Sequence, residues 1–512
     1  MNEQGNVEFR ELTGNTVPST VSGKKIAKAN FNKFLVLSGN ELIEELDEET
    51  LCDPSLLRKY ATYLVEHYVT KDDKHLMCDS AKQYISGVFV SIQERFPRNV
   101  YYDTGAQVHN WYARLRSDLD NEITLRCIEF GEEVASKSYP VGRELLKDMC
   151  SYYLKENLNE GLLHRFEFVL QFASGGGRSG ESALVSSNGC YWDTILTTFT
   201  LNWNQKKLRR QDICNYINDW EYYEIDFYHC LAGYLIAKGG TLKNAREIDA
   251  KNANFLLPHL STLKGSGAAE KMTRILQDLS SKIPSIPSNI DGTSIRAGAI
   301  QTMAVHATTS MFHVATRSGH QQDLSRECRA FEYTWCVPST TLVGGMALAG
   351  YSDSRRQCFT ARLSFMSELS IEKQSALQNL MNMLFESDVD FGTARQQLFY
   401  CLLATVLMSL ESMVSEYTMA NSMVSEVITT ARRFQLSYSE LIAFGETVRN
   451  DFIRRNLAHS PLSSHVSEVR PCITIRFVLL QNHILYSFIF IRCISSRSWR
   501  SLSLMFRIPL AT

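Results

Sequence analysis

Two arginine-bearing stretches carry residue types that can do chemistry together. The longer spans residues 293–333 and reads TSIRAGAIQTMAVHATTSMFHVATRSGHQQDLSRECRAFEY. Arg296 opens a helical pattern of small residues, Gly319-His320 follows one connection later, and Phe331-Glu332-Tyr333 closes the stretch. Far upstream, GGGRSGES sets Arg178 after three glycines, with Glu181 three residues on. Arginine, histidine and a late tyrosine are the parts, in order, needed to break a phosphodiester with a tyrosine nucleophile. The diester is anionic, so its charge must be neutralised before a nucleophile can approach. A guanidinium holds two non-bridging oxygens at once and keeps its proton, and it stabilises the charge that grows on those oxygens in the transition state. Attack by the Tyr333 phenolate would leave a phosphotyrosine ester that conserves the bond energy. Each residue also has a plainer role open to it. Arg178 can cap a helix or pair with Glu181, Arg296 can be a surface arginine, and His320 can be a satisfied loop histidine. Tyr333 is one of 22 tyrosines and has no standing alone.

These residues need elements to hold them. Residues 162–173, LLHRFEFVLQFA, form an amphipathic pattern that ends at Gly175-Gly176-Gly177 and delivers Arg178. A helix is expected to start after Pro140 and run to about residue 154, and helix is expected to continue from Glu181. Residues 191–203 and 211–217 have strand composition, with Lys206-Lys207 at a hairpin-like break between them. Helix returns over about 225–237. Residues 338–354 read as a Gly/Ser/Thr-rich loop, and 355–460 as a helical extension of unassigned role with apolar stripes in 380–385 and 398–413.

Upstream, residues 1–24 are polar and aperiodic and read as a flexible arm. The cluster Lys24, Lys25 and Lys28 lies at its end. From residue 30 to about 96 the pattern is helical, with stripes at Phe31, Phe34 and Leu35, at Leu56, Leu57, Tyr60, Tyr63 and Leu64, and at Ala81, Tyr84, Ile85 and Val88. Asp53-Pro54 is a helix start. A further helix carries Trp111, Tyr112 and Leu115, and a domain boundary is expected near residues 135–140.

The order and spacing of these parts resemble the active-site framework of the tyrosine recombinase (phage integrase) superfamily, most closely its eukaryotic Crypton-like and DIRS-like mobile-element members. His320 lies 24 residues after Arg296, a separation similar to the family's between its second arginine and histidine. The wording FNKFL, LLRKYATYLV and AKQYISGV is similar to the family's core-binding domain, which clamps one side of a duplex. The resemblance covers about residues 30–335. It implies a mainly α fold with a small β insert (α+β). An N-terminal helical, SAM-like core-binding domain over 25–135 would precede a catalytic domain over 136–340. It implies Arg178, Lys207, Thr293, Arg296, His320 and Tyr333 as the catalytic set, with Glu181 and Lys206 in support. A hairpin lysine, Lys207 with Lys206 next, would protonate the leaving 5′ oxygen. Lys206, Arg209 and Arg210 would contact DNA. Thr293 stands where the family's His-x-x-Arg box has histidine. Tyr333 follows His320 by 13 residues, a longer gap than in bacterial and phage members, and Tyr351 is a weaker candidate. The implied partners are double-stranded DNA and further copies of the chain in a tetrameric synapse, with no cofactor, no metal and no membrane. The implied location is the nucleus, or the cytoplasm if the source is a prokaryote.

Composition sets the bounds. A chain of 512 residues holds two or three domains, and 44% hydrophobic with 21% charged residues is ordinary for a globular protein. The formal net charge of −2 gives no nucleic-acid signal, so a DNA-binding role must rest on local basic patches. The 13 cysteines have no CxxC or Cys/His ligand spacing, and no signal peptide is recognisable, so reduced core thiols are expected. Residues 470–512 change character abruptly and are expected to be disordered or a gene-model artefact. Their apolar run, 477–491, is shorter than the roughly 20 residues a membrane helix needs. Two other functions stay open: a captured DNA-binding protein that kept the fold and lost the chemistry, and a helical interaction protein.

Overall fold

In the computed structural model the described residues are 18–70, 75–103, 110–131, 138–186, 189–205, 210–237, 256–257, 260, 263–319, 338–353, 358–386 and 391–456. They are mainly helical, with one three-stranded antiparallel sheet, as the residue pattern leads one to expect. The chain divides into two compact units, Met1–Tyr139 and Pro140–Thr512. The atypical tail at 470–512 lies outside the described residues.

The first unit is built from α1 (Pro18–Leu37), α2 (Glu48–Leu51), α3 (Pro54–Glu66), α4 (Cys78–Arg95) and α5 (Asn110–Phe130). Asp53 caps α3, its carboxylate accepting from Ser55 N at 2.8 Å, and Pro54 sits where a missing N–H costs nothing. The stripes converge on one core, with Phe31, Tyr60, Leu64, Ile85, Val88 and Ile123 fully buried. A Cβ on Gly87 would lie 2.6 Å from that of Ala27, so α1 and α4 approach closely at small residues. One expectation is corrected here. Residues 18–24 of the arm placed at residues 1–24 are helical, because α1 begins at Pro18, and residues 1–17 lie outside the described residues. Once Ala27, Phe31 and Leu35 pack, extending the helix back through a polar stretch adds a hydrogen bond per residue with no new nucleus. In the basic cluster, Lys24 pairs with Glu94 and Lys28 with Glu44, each at 2.6 Å.

The second unit begins with α6 (Arg143–Glu156), α7 (Asn159–Ala173) and the single turn α8 (Ser179–Ser182). The sheet follows, β1 (Tyr191–Asp193), β2 (Thr198–Gln205) and β3 (Arg210–Tyr216), in the order β1-β2-β3. Tyr191 faces Thr200 and Leu201 faces Cys214. Phe199, Leu201 and Trp203 alternate onto the core side, at most 2% exposed. The single strand expected over 191–203 is broken: Asp193 Oδ1 accepts from the backbone N–H groups of Ile195 and Leu196, each at 2.9 Å, making a turn. Helices α9 (Phe227–Ile236), α10 (Lys264–Lys282), α11 (Ser294–Val305) and α12 (Met311–Ser318) come next. The chain then runs through α13 (Pro338–Leu348), α14 (Ile371–Phe385), α15 (Arg395–Tyr417), α16 (Ser422–Arg433) and α17 (Tyr438–Asn456).

Three further expectations change. The helix expected to run on from Glu181 stops at Ser182. The loop expected over 338–354 contains α13, since burying Leu342, Met346 and Ala347 outweighs the poor intrinsic helicity of Thr and Gly. The extension expected over 355–460 is no appendage but belongs to the same core as α6–α9. Asn218 Nδ2 donates to Thr405 Oγ1 on α15 at 2.8 Å, and Asn421 Nδ2 donates to Leu154 O on α6 at 2.9 Å. A Cβ on Gly445 would lie 2.2 Å from Leu407 O, which fixes a close crossing of α15 and α17. Residues 392–417 form the one helix among the described residues long and apolar enough to cross a membrane, and 67% of its most apolar window is buried inside the protein.

Candidate functional site

The site is assembled by a reversal of the chain at the end of α7. Gly176 N donates to Gln171 O at 3.0 Å and Gly175 N to Phe172 O at 2.9 Å, closing the helix. Gly175 and Gly176 both have φ of +82°, the left-handed region where a side chain is penalised. The second requirement is space. A Cβ on Gly175 would lie 2.8 Å from Arg317 O, and one on Gly176 would lie 2.7 Å from Arg296 Cα. Two successive glycines therefore press this turn against α12 and α11. Beyond it, Ser174 Oγ accepts from Gly177 N at 3.1 Å, and Gly177 packs on the ring of Trp203.

Arg178 emerges from the turn at the head of α8. Its guanidinium donates to Glu181 Oε1 at 2.9 Å, and its backbone N–H donates to Glu181 Oε2 at 3.2 Å. Glu181 is buried while the Arg178 side chain is 36% exposed, so the carboxylate anchors a guanidinium that still meets solvent. The pairing open to Arg178 from its sequence is thus realised.

Arg296 lies in the first turn of α11, half-buried. Its guanidinium donates to Gly176 O, two residues before Arg178, and to Ser318 O at 2.9 Å. Ser318 ends α12 and is followed by Gly319, whose φ of +74° stops the helix just before His320. One arginine therefore ties together the turn that carries Arg178 and the corner that leads to His320. Thr293 is exposed, one turn before Arg296, and its hydroxyl donates to Asp291 Oδ1 at 2.7 Å.

The structure brings together Arg178, Glu181, Thr293, Arg296 and the corner ahead of His320. His320 and Tyr333 lie outside the described residues, as do Lys206, Lys207 and Arg209. Arg210 is described in its backbone alone, paired with Gln205 across the hairpin. Tyr351 is corrected: it is 1% exposed, packed against Trp220, and burial pushes its phenol well above the ordinary tyrosine range. It can neither reach a diester nor ionise readily.

Sequence reading missed Arg317. This guanidinium is 3% exposed and donates to Thr341 O at 2.8 Å, to Asn215 O at 2.7 Å and twice to Ala173 O, at 3.1 Å through Nε. Gly344 and Gly345 leave room for it, since a Cβ on either would lie 3.0–3.1 Å from its side chain. The paired glycines inside a helix were the available signal, because they mark a close approach. Gln171 was missed too. Its Nε2 donates to Gly177 O at 2.9 Å and Gly292 O at 3.3 Å, and Ser179 Oγ donates to Gly292 O at 3.1 Å, joining the two arginine segments through backbone.

Among the described residues no group of three or more His, Cys, Asp or Glu side chains is placed to hold a metal ion. The described cysteines are free thiols. What the described part offers an anion is the partly exposed Arg178 guanidinium, anchored by Glu181, next to a turn that the half-buried Arg296 holds through Gly176 O. No protein-family model matches the chain, and no curated protein matches it either.

Proposed function

We propose that the protein is a site-specific DNA recombinase or integrase of the tyrosine recombinase superfamily, most like the Crypton-like and DIRS-like mobile-element enzymes. In this reading a SAM-like core-binding domain precedes the catalytic domain, double-stranded DNA is the substrate, four copies act in a synapse, and the site of action is the nucleus. The observation that supports it is that Arg296 bonds both to Gly176 O, in the turn that delivers Arg178 from 118 positions upstream (178 to 296), and to Ser318 O, the residue before Gly319-His320 in the chain.

The chemistry follows from the residues. Arg178 and Arg296 hold the non-bridging oxygens of the scissile phosphate and stabilise the pentacoordinate transition state. Tyr333 gives its phenolic proton to solvent water as its oxygen attacks phosphorus. The bond from phosphorus to the 5′ oxygen breaks, and Lys207 gives that oxygen a proton. The products are a 3′-phosphotyrosine and a free 5′ hydroxyl. Attack by a 5′ hydroxyl from another strand reverses the step and joins new ends. No cofactor takes part.

A second reading has an observation in its favour. The Thr293 hydroxyl, where the resembled family has histidine, is held by Asp291 and cannot titrate near neutral pH. A catalytically impaired, host-captured DNA-binding protein with the same fold would look like this. The two part on a nicked suicide duplex taken from the repeats flanking the gene. The enzyme gives a protein–DNA adduct that survives a denaturing gel and is lost in Tyr333→Phe. Salt-sensitive binding without an adduct from wild type is the result that sinks the recombinase reading.

A further inference from the structure

We propose that Arg317 is a positioning residue for the two-arginine clamp, setting the spacing between the Arg178 turn and the corner held by Arg296. The inference rests on the recombinase reading above. A buried guanidinium is costly unless its N–H groups are met, and here they are met by carbonyls rather than by a carboxylate. Those carbonyls come from the end of α7 (Ala173), from β3 (Asn215) and from α13 (Thr341). Three elements are thus joined at the last turn of α12, and the ring of Tyr216 lies 5.8 Å below the charge.

The placement ties this knot to the clamp. Ala173 is five residues before Arg178, and Ser318, whose carbonyl accepts from Arg296, is the residue after Arg317. Gly175 packs directly on Arg317, and Gly176 directly on Arg296. A shift of the Arg317 side chain moves the Arg178 turn and the Ser318 corner against each other, and so moves both guanidinium groups that would flank the phosphate. Arg317 itself is too deeply buried to touch DNA. Its effect must pass through Arg178 and Arg296.

The test uses the full chain with Arg317→Lys, and with Gly345→Ala, whose new Cβ would lie 3.0 Å from the Arg317 Cζ and nudges the guanidinium without removing it. Each is compared with wild type on the nicked suicide duplex and on the same duplex with a methylphosphonate at the scissile position. That neutral linkage no longer needs its charge held. Duplex affinity is read by titration, adduct formation by its rate at saturating DNA, and folding by circular dichroism. On the diester, Arg317→Lys is expected to slow adduct formation about 100-fold, the size of a misplacement of roughly 1 Å. Gly345→Ala slows it less. Affinity is unchanged, and on the methylphosphonate the deficit shrinks to within about threefold of wild type, the small residue left once the phosphate charge no longer has to be held. Should Arg317→Lys fail to fold, Gly345→Ala carries the comparison. An equal deficit on both linkages, a loss of affinity, or an unchanged rate overturns the positioning role while leaving the recombinase reading intact. Absence of any adduct from wild type overturns both.

Discussion

Substituting alanine for Gly176 tests the join at the heart of the site. Two costs add. The φ of +82° costs an L-residue about 1–2 kcal/mol, of which about 0.4–1 kcal/mol is returned because alanine stiffens the unfolded chain. The new Cβ would then stand 2.7 Å from Arg296 Cα and 2.9 Å from its carbonyl oxygen, contacts with backbone that no rotamer change relieves. Overpacking of that kind costs about 1–3 kcal/mol. The net destabilisation is about 2–3 kcal/mol, or about 3–5 °C in melting temperature, since a unit of more than about 300 residues shifts by only about 1.5 °C per kcal/mol. Gly392 supplies the control, with φ of +50° and nothing within 4 Å of a built Cβ. Gly392→Ala therefore carries the backbone cost alone, about 0.5–1 kcal/mol, and about 1–1.5 °C. Both variants would be melted side by side by circular dichroism. If Gly176→Ala melts no lower than Gly392→Ala, the close approach of the glycine turn to α11 is wrong, and with it the account of how the turn that carries Arg178 meets Arg296.

Three other outcomes follow from the packing. Burial and the neighbouring Arg165 hold His229 well below the usual histidine range, so it stays neutral in the fold. The unfolded histidine takes a proton near pH 6.5 and the folded one does not. Its contribution is thus complete above pH 6.5 and is lost as pH falls below it, at up to about 1.4 kcal/mol per pH unit. Burial pushes Asp226 up to about 7, which works in the opposite direction, so the check is the wild-type minus His229→Gln difference in urea midpoint between pH 7.5 and 5. Gly445→Ala should destabilise by about 1–3 kcal/mol because its Cβ meets Leu407 O, and stabilisation by about 1 kcal/mol, the gain from helix propensity alone, would refute the crossing. Asn421→Ala should cost about 2–3 kcal/mol in chemical denaturation, since it removes the cap of α16 and the bond to Leu154 O together.

Local signals were enough for much of this protein. Helical stripes such as Leu56–Tyr60–Leu64 and the Asp53-Pro54 start declare their elements, because amphipathic period and capping act within one turn of chain. The glycine turn before Arg178 and the two strand segments were legible for the same reason. The helix at 338–348, the break between β1 and β2, and the union of residues 358–456 with the α6–α9 core were not, since each depends on partners far along the chain. The same divide runs through the site. Residue type and order pointed to Arg178, Glu181 and Arg296 and to the chemistry proposed for them. That Arg296 reaches back to Gly176 and forward to Ser318, that Arg317 is buried among three carbonyls, and that Tyr351 is sealed in the core were decided by tertiary packing alone. A sequence records which side chains can hold charge, but burial and hydrogen-bond partners at long range determine which of them stands where an anion can arrive.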